Sequence, residues 1–331
     1  MFTPAQQILR MGFGFALAQA LRVVVELKIA DALAGAERTA EELASAGGAN
    51  PDALYRVMRL LASEGVFREV SPRLFAQTEL SAALRSDLPG GPSDFVRMIN
   101  TEAYRSFGDL PYSIKTGRTA FERLFGAPRF EWLDAHPEQA ALFQRAMVSV
   151  SQGANEAVAA AYDFSTARRV VDVGGGHGQL LSLILRRNSH LSGVLLDRPA
   201  GIASAKAGLG GPLSRTEFVA GDFFEAVPRG GDVYILKRVI HDWDDGRASL
   251  ILRNCREAMT PDGSVLVAER IIGEGDDQDL NKYLDIVMLA VVGGKERSKP
   301  EYADLFLHCG LRLDRVIDTS ADISVLVARA A

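Results

Sequence analysis

The sequence predicts an α/β protein in which an open, doubly wound parallel sheet over residues 166–331 follows a smaller, mainly helical N-terminal domain. Three observations carry this. From Arg169 onward, runs rich in Val, Ile and Leu ("RVVDVG", "LSGVLLDR", "TEFVAGD", "GDVYILKRVIHDW", "GSVLVAER", "DISVLVARA") alternate with helical segments, as strands covered on both faces require. Glycines at 174, 175, 176 and 178 crowd the bend after the first of these runs. Ahead of residue 166 the pattern is helical, broken by "GVFREVSPRLFAQTEL", two short strand-like pieces about Ser71-Pro72.

The 331 residues exceed the usual span of one core, and we divide them into 1–95, a helical segment 96–165 that contributes to a substrate pocket, and 166–331. Apolar residues at 47% and charged residues at 24% describe an ordinary globular chain. A net charge of −5 offers no attraction to nucleic acid or an anionic membrane and favours small-molecule partners. Cys255 and Cys309 form no CxxC, which suits a reducing compartment and predicts the cytoplasm. Near the N-terminus, Arg10, an apolar run and Ala18-Gln19-Ala20 have the form of a secretory signal. Against that reading, the run continues through Val23, Val24, Leu27 and Ile29 at helical spacing, interleaved with Arg22, Glu26 and Lys28. An amphipathic helix follows, and its charges exclude a membrane span.

Thr39 with Glu42 three residues on predicts an N-cap, Gly47-Gly48 a break, and Pro51 a helical restart. Helices followed by two short strands form a winged-helix pattern, which raises the question of DNA. From Pro51 to Ser63 the only cations are Arg56 and Arg59, while Leu54, Val57, Met58, Leu60 and Leu61 make a broad apolar face. Residues 1–100 hold ten basic against eleven acidic side chains, so the basic footprint of a duplex binder is missing and packing or dimerisation is the expected role. The helical stretch after it, "PEQAALFQRAMVSVSQGANEAVAAAY", supplies core positions and pocket candidates.

A turn without side chains lets a ligand lie against bare backbone. Here Gly174, Gly176 and Gly178 give GxGxG, and Gln179 stands where a dinucleotide-binding turn has its last glycine, so the pyrophosphate reading weakens. Each of the first three strands ends near a carboxylate: Asp172, Asp197 and Asp222. Such a row repels phosphates and suits a ligand that donates hydrogen bonds from an ammonium, a ribose diol and an adenine amine, as S-adenosylmethionine does.

With these blocks in order, "VVDVGGGHG", "LLDRP", "GDFFEAVP", "YILKRVIHDWDD" and "VGGKERS", nearly the whole chain resembles the plant-type small-molecule O-methyltransferases and their bacterial relatives that tailor antibiotics, pigments and phenazines. The resemblance implies a Rossmann-like methyltransferase domain, an N-terminal winged-helix dimerisation domain and a homodimer. It puts Asp172 with Gly174, Gly175 and Gly176 near the methionine part of the cofactor, Asp197 on the ribose hydroxyls and Asp222 with Phe223 around the adenine, and counts Arg198, Gly221 and Phe224 among the cofactor-binding residues. Lys237, Arg238 and Trp243 would line the cofactor, and Ser151 would touch its carboxylate. Phe143, Met147, Asp242, Met288 and Val292 match acceptor positions.

In that family the His of "VIHDWDD", here His241, takes the acceptor's proton, and Glu269 and Glu296 flank it. The chemistry needs such a group: a phenol of pKa near 10 is only ~0.1% ionised at pH 7, a deficit of roughly 4 kcal/mol that a neutral imidazole near 6.5 offsets during reaction. Surface pairing of Glu269 with Arg270 and of Glu296 with Arg297 is the alternative use of these acids. Alignment of nucleophile and methyl group supplies more, about 7–11 kcal/mol. No metal is expected, because His136, His177, His190 and His308 show no ligand spacing. Val291 and Val292 replace an Asn that plant members carry before the Gly-Gly, which points to an apolar polycyclic or heteroaromatic acceptor packed by Met288. Relatives that methylate nitrogen or hydroxylate, a cofactor-sensing regulator and an NAD-dependent dehydrogenase are the competing readings.

Overall fold

Local chemistry sets the first helices. Thr3 and Gln6 form a capping box on helix Pro4–Gly12, and Thr39 and Glu42 form the predicted one on Ala40–Gly47. Gly48 then turns left-handed at φ 67°, and Asn50 caps helix Pro51–Ser63 through the amides of Asp52 and Ala53. Leu54, Met58 and Leu61 of that helix are buried, but Leu60 is exposed, so its apolar face is narrower than the sequence suggests. Strands β1 (Arg38–Thr39), β2 (Phe67–Ser71) and β3 (Leu74–Gln77) pair antiparallel in the order β1-β3-β2 and close over Leu33, Leu43, Met58, Phe67 and Phe75.

This computed structural model describes the chain apart from Met1, Pro89, Gln152 and residues 209–211, and apart from the side chains of Val148, Val150, Ser151, Gly208, Pro212 and Leu213. It divides into two compact units, Met1–Asp109 with Leu124–Gln152, and Leu110–Arg123 with Gly153–Ala331. The helical stretch 96–165 is thus shared between them. Among the described residues no single helix is long and apolar enough to cross a membrane; Pro4–Gly12 and Gly14–Glu26 reach that composition only together, across a 45° bend.

The second unit is built on seven strands: β4 (Arg169–Val173), β5 (Ser192–Asp197), β6 (Thr216–Ala220), β7 (Gly231–Lys237), β8 (Met259–Glu269), β9 (Leu311–Asp318) and β10 (Ser324–Ala330). Their order is β6-β5-β4-β7-β8-β10-β9. Five strands are parallel, as predicted, but β10 runs antiparallel to β8 and to β9. The sequence reading missed β9 because this edge strand carries Arg312, Asp314 and Arg315 and lacks an apolar run. Alternate residues serve opposite faces. Val171, Val173, Tyr234, Leu236, Val265 and Val267 pack with Ile251, Leu252 and Phe306, while Val170, Leu195, Ile235 and Leu266 pack with Val158, Leu181 and Ile184. Strand order reverses between β4 and β7, so the crevice for a ligand opens at their carboxyl ends.

Candidate active site

The glycine turn leaves β4 at that crevice. Gly174 has φ 70°, and a Cβ on it would come within 2.9 Å of Val239 Cγ2; one on Gly175 would come within 2.5 Å of Leu195 Cδ1 and strike the Asp172 carboxylate. Side chains are therefore excluded twice, by conformation and by space. The Gly176 amide donates to Asp197 Oδ2 at 2.7 Å, and the Arg198 amide to Asp197 Oδ1 at 2.8 Å, so the end of β5 holds the bend in place. The exposed Asp222 accepts from the Phe224 amide at 2.8 Å. Behind it Phe223, Phe224 and Trp243 form an aromatic trio, with Phe224 and Trp243 edge to face at 4.8 Å.

Asp172 is buried, and burial pushes its carboxyl up to about 7 against the pull of Lys237; Asp197 adds to the rise. Its Oδ2 finds no hydrogen-bond partner among the described residues. Burial likewise lowers the Lys237 ammonium. A buried acceptor without a donor, a cradle of bare peptide, two further carboxylates and an aromatic trio fit a cationic nucleoside rich in donors.

His241 sits in a short 3-10 turn, Ile240–Asp242, beyond β7. Glu269, at the end of β8 and fully buried, accepts the amides of Val239 and Ile240 on Oε1, both at 3.0 Å, which fixes the turn. The imidazole Nδ1 lies 2.8 Å from Glu296 Oε1 and 3.9 Å from Glu269 Oε2, and Nε2 lies 3.5 Å from Asp242 Oδ1. Two carboxylates about Nδ1 make it the N–H and leave Nε2 as the basic nitrogen. Burial alone would lower this imidazole, but Glu269, Asp242 and Glu296 overcome it and raise its pKa to about 9. The value near 6.5 taken from the sequence is therefore corrected by the acid cluster, which makes His241 a stronger base. Surface pairing of the two glutamates is corrected as well: Arg270 pairs with Asp322 at 3.0 Å, and Arg297 pairs with Asp245 at 2.8 Å.

Sequence reasoning missed the supports of this turn. Arg297 is fully buried and donates to the carbonyls of Ile240 and Trp243. Gly294 packs against it so closely that a Cβ would lie 2.5 Å from the carbonyl carbon of Asp242, and the Lys295 amide donates to the His241 carbonyl at 2.8 Å. Asn254 ties down the Phe223 and Phe224 carbonyls at 2.8 and 3.0 Å. The "GGKER" block carried the signal for Gly294 and Arg297, whereas nothing marked Asn254.

Other predicted residues fall as follows. Met288 and Val292 are half-buried on a π-helical turn, and Val291 beside them is buried. Phe143 and Met147 lie on helix Pro137–Ser151 of the first unit, where Phe130 and the Arg129 guanidinium pack on the Phe143 ring. The Ser151 side chain falls outside the described residues. Among the described residues no group of three or more His, Cys, Asp or Glu could hold a metal ion.

A doubly wound sheet with a bare glycine turn and carboxylates at its switch point defines a nucleoside-binding α/β enzyme, and the buried imidazole with its acids defines one that moves a proton. Comparison completes the assignment. The description "O-methyltransferase domain" matches residues 107–312 and "O-methyltransferase dimerisation domain" residues 9–87, so the chain belongs to the O-methyltransferase family. It is 42% identical to "Phenazine O-methyltransferase PhzM" of Lysobacter antibioticus over 97% of this chain and 95% of that protein. The structure of the mitomycin 7-O-methyltransferase MmcR superposes with a TM-score of 0.91 at 38% identity, covering 99% and 98% of the two chains. The O-methyltransferase NcsB1 from neocarzinostatin biosynthesis, solved with S-adenosylmethionine and 2-hydroxy-5-methyl naphthoic acid, gives 0.82 at 35% identity over 95% and 96%. The protein is an S-adenosylmethionine-dependent O-methyltransferase.

Proposed function

We propose that this enzyme methylates a hydroxyl group on a polycyclic or heteroaromatic acceptor, with His241 Nε2 as general base and Glu296 and Glu269 as its supports. The observation that carries the reading is the 2.8 Å contact between His241 Nδ1 and Glu296 Oε1 inside a buried acid cluster. When bound, the cofactor supplies an electrophilic methyl group on a sulfonium. Asp172, the bare turn at Gly174–Gly176, Asp197, Asp222 and the aromatic trio are the groups that would hold it. His241 receives the hydroxyl proton, and Glu296, Glu269 and Asp242 stabilise the imidazolium that results. Proton transfer from a phenol of pKa near 10 to a base near 9 is uphill by only about 1.4 kcal/mol, against about 5 kcal/mol for an unperturbed imidazole.

Oxygen is preferred over nitrogen because a neutral aromatic amine needs no base before it attacks, and a buried three-carboxylate cluster would be superfluous there. Met288, Val292, Phe143 and Met147 keep the acceptor roles, and Ser151 the cofactor role, that the family resemblance gives them. We also take the protein to be a homodimer through the N-terminal domain. Helix Pro4–Gly12 buries none of its residues, and Ile8, Leu9, Met11, Phe13 and Phe15 are exposed, a cluster of large apolar side chains that a partner subunit would cover. Incubation with methyl-labelled cofactor and a panel of hydroxylated and amino-substituted aromatics tests the reading. The expected product is an O-methyl ether, formed about a hundredfold or more slowly by His241→Ala. Transfer to amines alone, or an unchanged His241→Ala rate with a weakly acidic phenol, would refute it.

A further inference from the structure

The two glutamates beside His241 are held in different ways. Both serve one loop, which leaves β7 at Arg238, half-buried and left-handed at φ 54°. Glu269 is fixed through its carboxylate, since Oε1 accepts the amides of Val239 and Ile240. Glu296 has no such grip: Oε1 meets His241 Nδ1 at 2.8 Å, and the buried Oε2 finds no hydrogen-bond partner among the described residues. Where its carboxylate points is therefore set by the backbone that carries it. The residues on either side are tied down by main-chain bonds. The Lys295 amide donates to the His241 carbonyl at 2.8 Å, and the Arg297 carbonyl accepts from the Ile272 amide at 3.1 Å. Between them the Glu296 amide donates to a side chain, Asp285 Oδ1, at 2.9 Å.

Asp285 lies half-buried inside helix Leu280–Val287. Aspartate is a weak helix former in such a position, so a contact outside the helix accounts for its use. The helix makes a firm support. Asp279 caps it through the Asn281 amide at 2.8 Å and also accepts the Gly273 amide at 3.0 Å, and its far end runs on into the π-helical turn Met288–Val292. Burial raises the Asp285 carboxyl most, and Glu296 and Glu301 add to the rise, while the Glu296 amide and Lys295 lower it. Ionised or protonated, the carboxyl keeps a lone pair for the amide. One helix thus leads to the proposed acceptor wall and supports the acid behind the base.

We propose that Asp285 is a positioning residue for methyl transfer: by holding the Glu296 amide it aims the Glu296 carboxylate at His241 Nδ1. This deepens the His241 reading above and rests on it. The test is the titration of His241 in the full-length protein, followed by NMR with carbon-13-labelled histidine and assigned among the five histidines with His241→Ala. Glu296→Gln is the control and should lower the midpoint from about 9 by roughly one to two pH units. Asp285→Ala, or the similarly shaped Asp285→Leu if the alanine variant does not fold, should lower it by about one pH unit, a tenfold loss of proton affinity, with affinity for S-adenosylhomocysteine within about threefold of wild type. Asp285→Asn still offers Oδ1 to the amide and should hold the midpoint within about 0.3 of wild type. Once Glu296 is glutamine, Asp285→Ala should move the midpoint no further. A midpoint that Glu296→Gln lowers and Asp285→Ala leaves in place would overturn the role of Asp285. So would an equal effect of Asp285→Asn, the same displacement with Glu296 already replaced, or a loss of nucleoside affinity in step with the displacement. A midpoint unmoved by Glu296→Gln would instead refute the base reading itself, and the role of Asp285 with it.

Discussion

Replacing Glu296 by Gln removes one charge and preserves the shape of the His241 pair. The bond it weakens is 2.8 Å long and buried, with 1% of the Glu296 side chain exposed. A hydrogen bond to a charged group contributes about 1.5–3 kcal/mol, or roughly one to two pKa units on the imidazole. His241 should therefore drop from about 9 to roughly 7–8. Above both values each protein holds a neutral base, and the variant is slower by about 10–100-fold because the imidazolium that forms is less stabilised. At pH 7 the neutral fraction rises from about 1% toward about a quarter, which offsets most of that loss. The defect should thus grow with pH. The assay is kcat from pH 6 to 10 at saturating cofactor and acceptor, where the acceptor's own ionisation affects both proteins equally. Parallel profiles, or an ascending limb that stays in place in the variant, would refute the acid cluster as the source of the raised basicity. The sign for stability is the opposite: the charged imidazole stabilises the fold fully below about 6.5, and that contribution disappears as pH rises through about 9.

Two further outcomes follow from the same geometry. Gly294→Ala forces a methyl group against the Asp242 backbone, so turnover should fall about a hundredfold with nucleoside affinity within about threefold of wild type; an equal loss in both would mean general unfolding. Asp172 should titrate near 7 in the free enzyme and ionise to hold a cation, so cofactor affinity should climb about tenfold per pH unit below 7 and less steeply from there to about 9, where only His241 still gives up a proton, with proton release visible as a buffer-dependent heat. Asp172→Asn should abolish the slope below 7, and an unchanged slope there would refute the assignment.

What the sequence revealed and what it hid differ in physical kind. The cap at Thr39, the helical restart at Pro51, the parallel strands and the turn at Gly174 are local or periodic, so the residues that cause them lie side by side in the chain. The same is true of the carboxylates that end the strands, because each is read with its own strand. The environment of His241 is different. It gathers Asp242, Glu269 and Glu296 from three segments, and only their distances in space show that burial loses to the summed charge. That is why a composition-based value near 6.5 misjudged the base, and why Arg270 and Arg297 looked like partners of the acids beside them in sequence. The edge strand β9 was hidden for another reason: its solvent-facing residues dilute the apolar signal that marks the buried strands.

The two titrating groups of the crevice are displaced in opposite senses from what chemistry at neutral pH asks. His241 near 9 is mostly protonated and cannot accept, while Asp172 near 7 is half protonated and binds cations poorly. One change corrects both. Positive charge entering the crevice disfavours an imidazolium and favours a carboxylate, so it lowers both pKa values. Binding a sulfonium nucleoside should therefore release protons from Asp172 and His241 together. Until then His241 keeps its proton, and an acceptor that arrives first meets a group unable to deprotonate it. The surplus of acid around His241 thereby makes base strength conditional on bound cofactor through electrostatics alone.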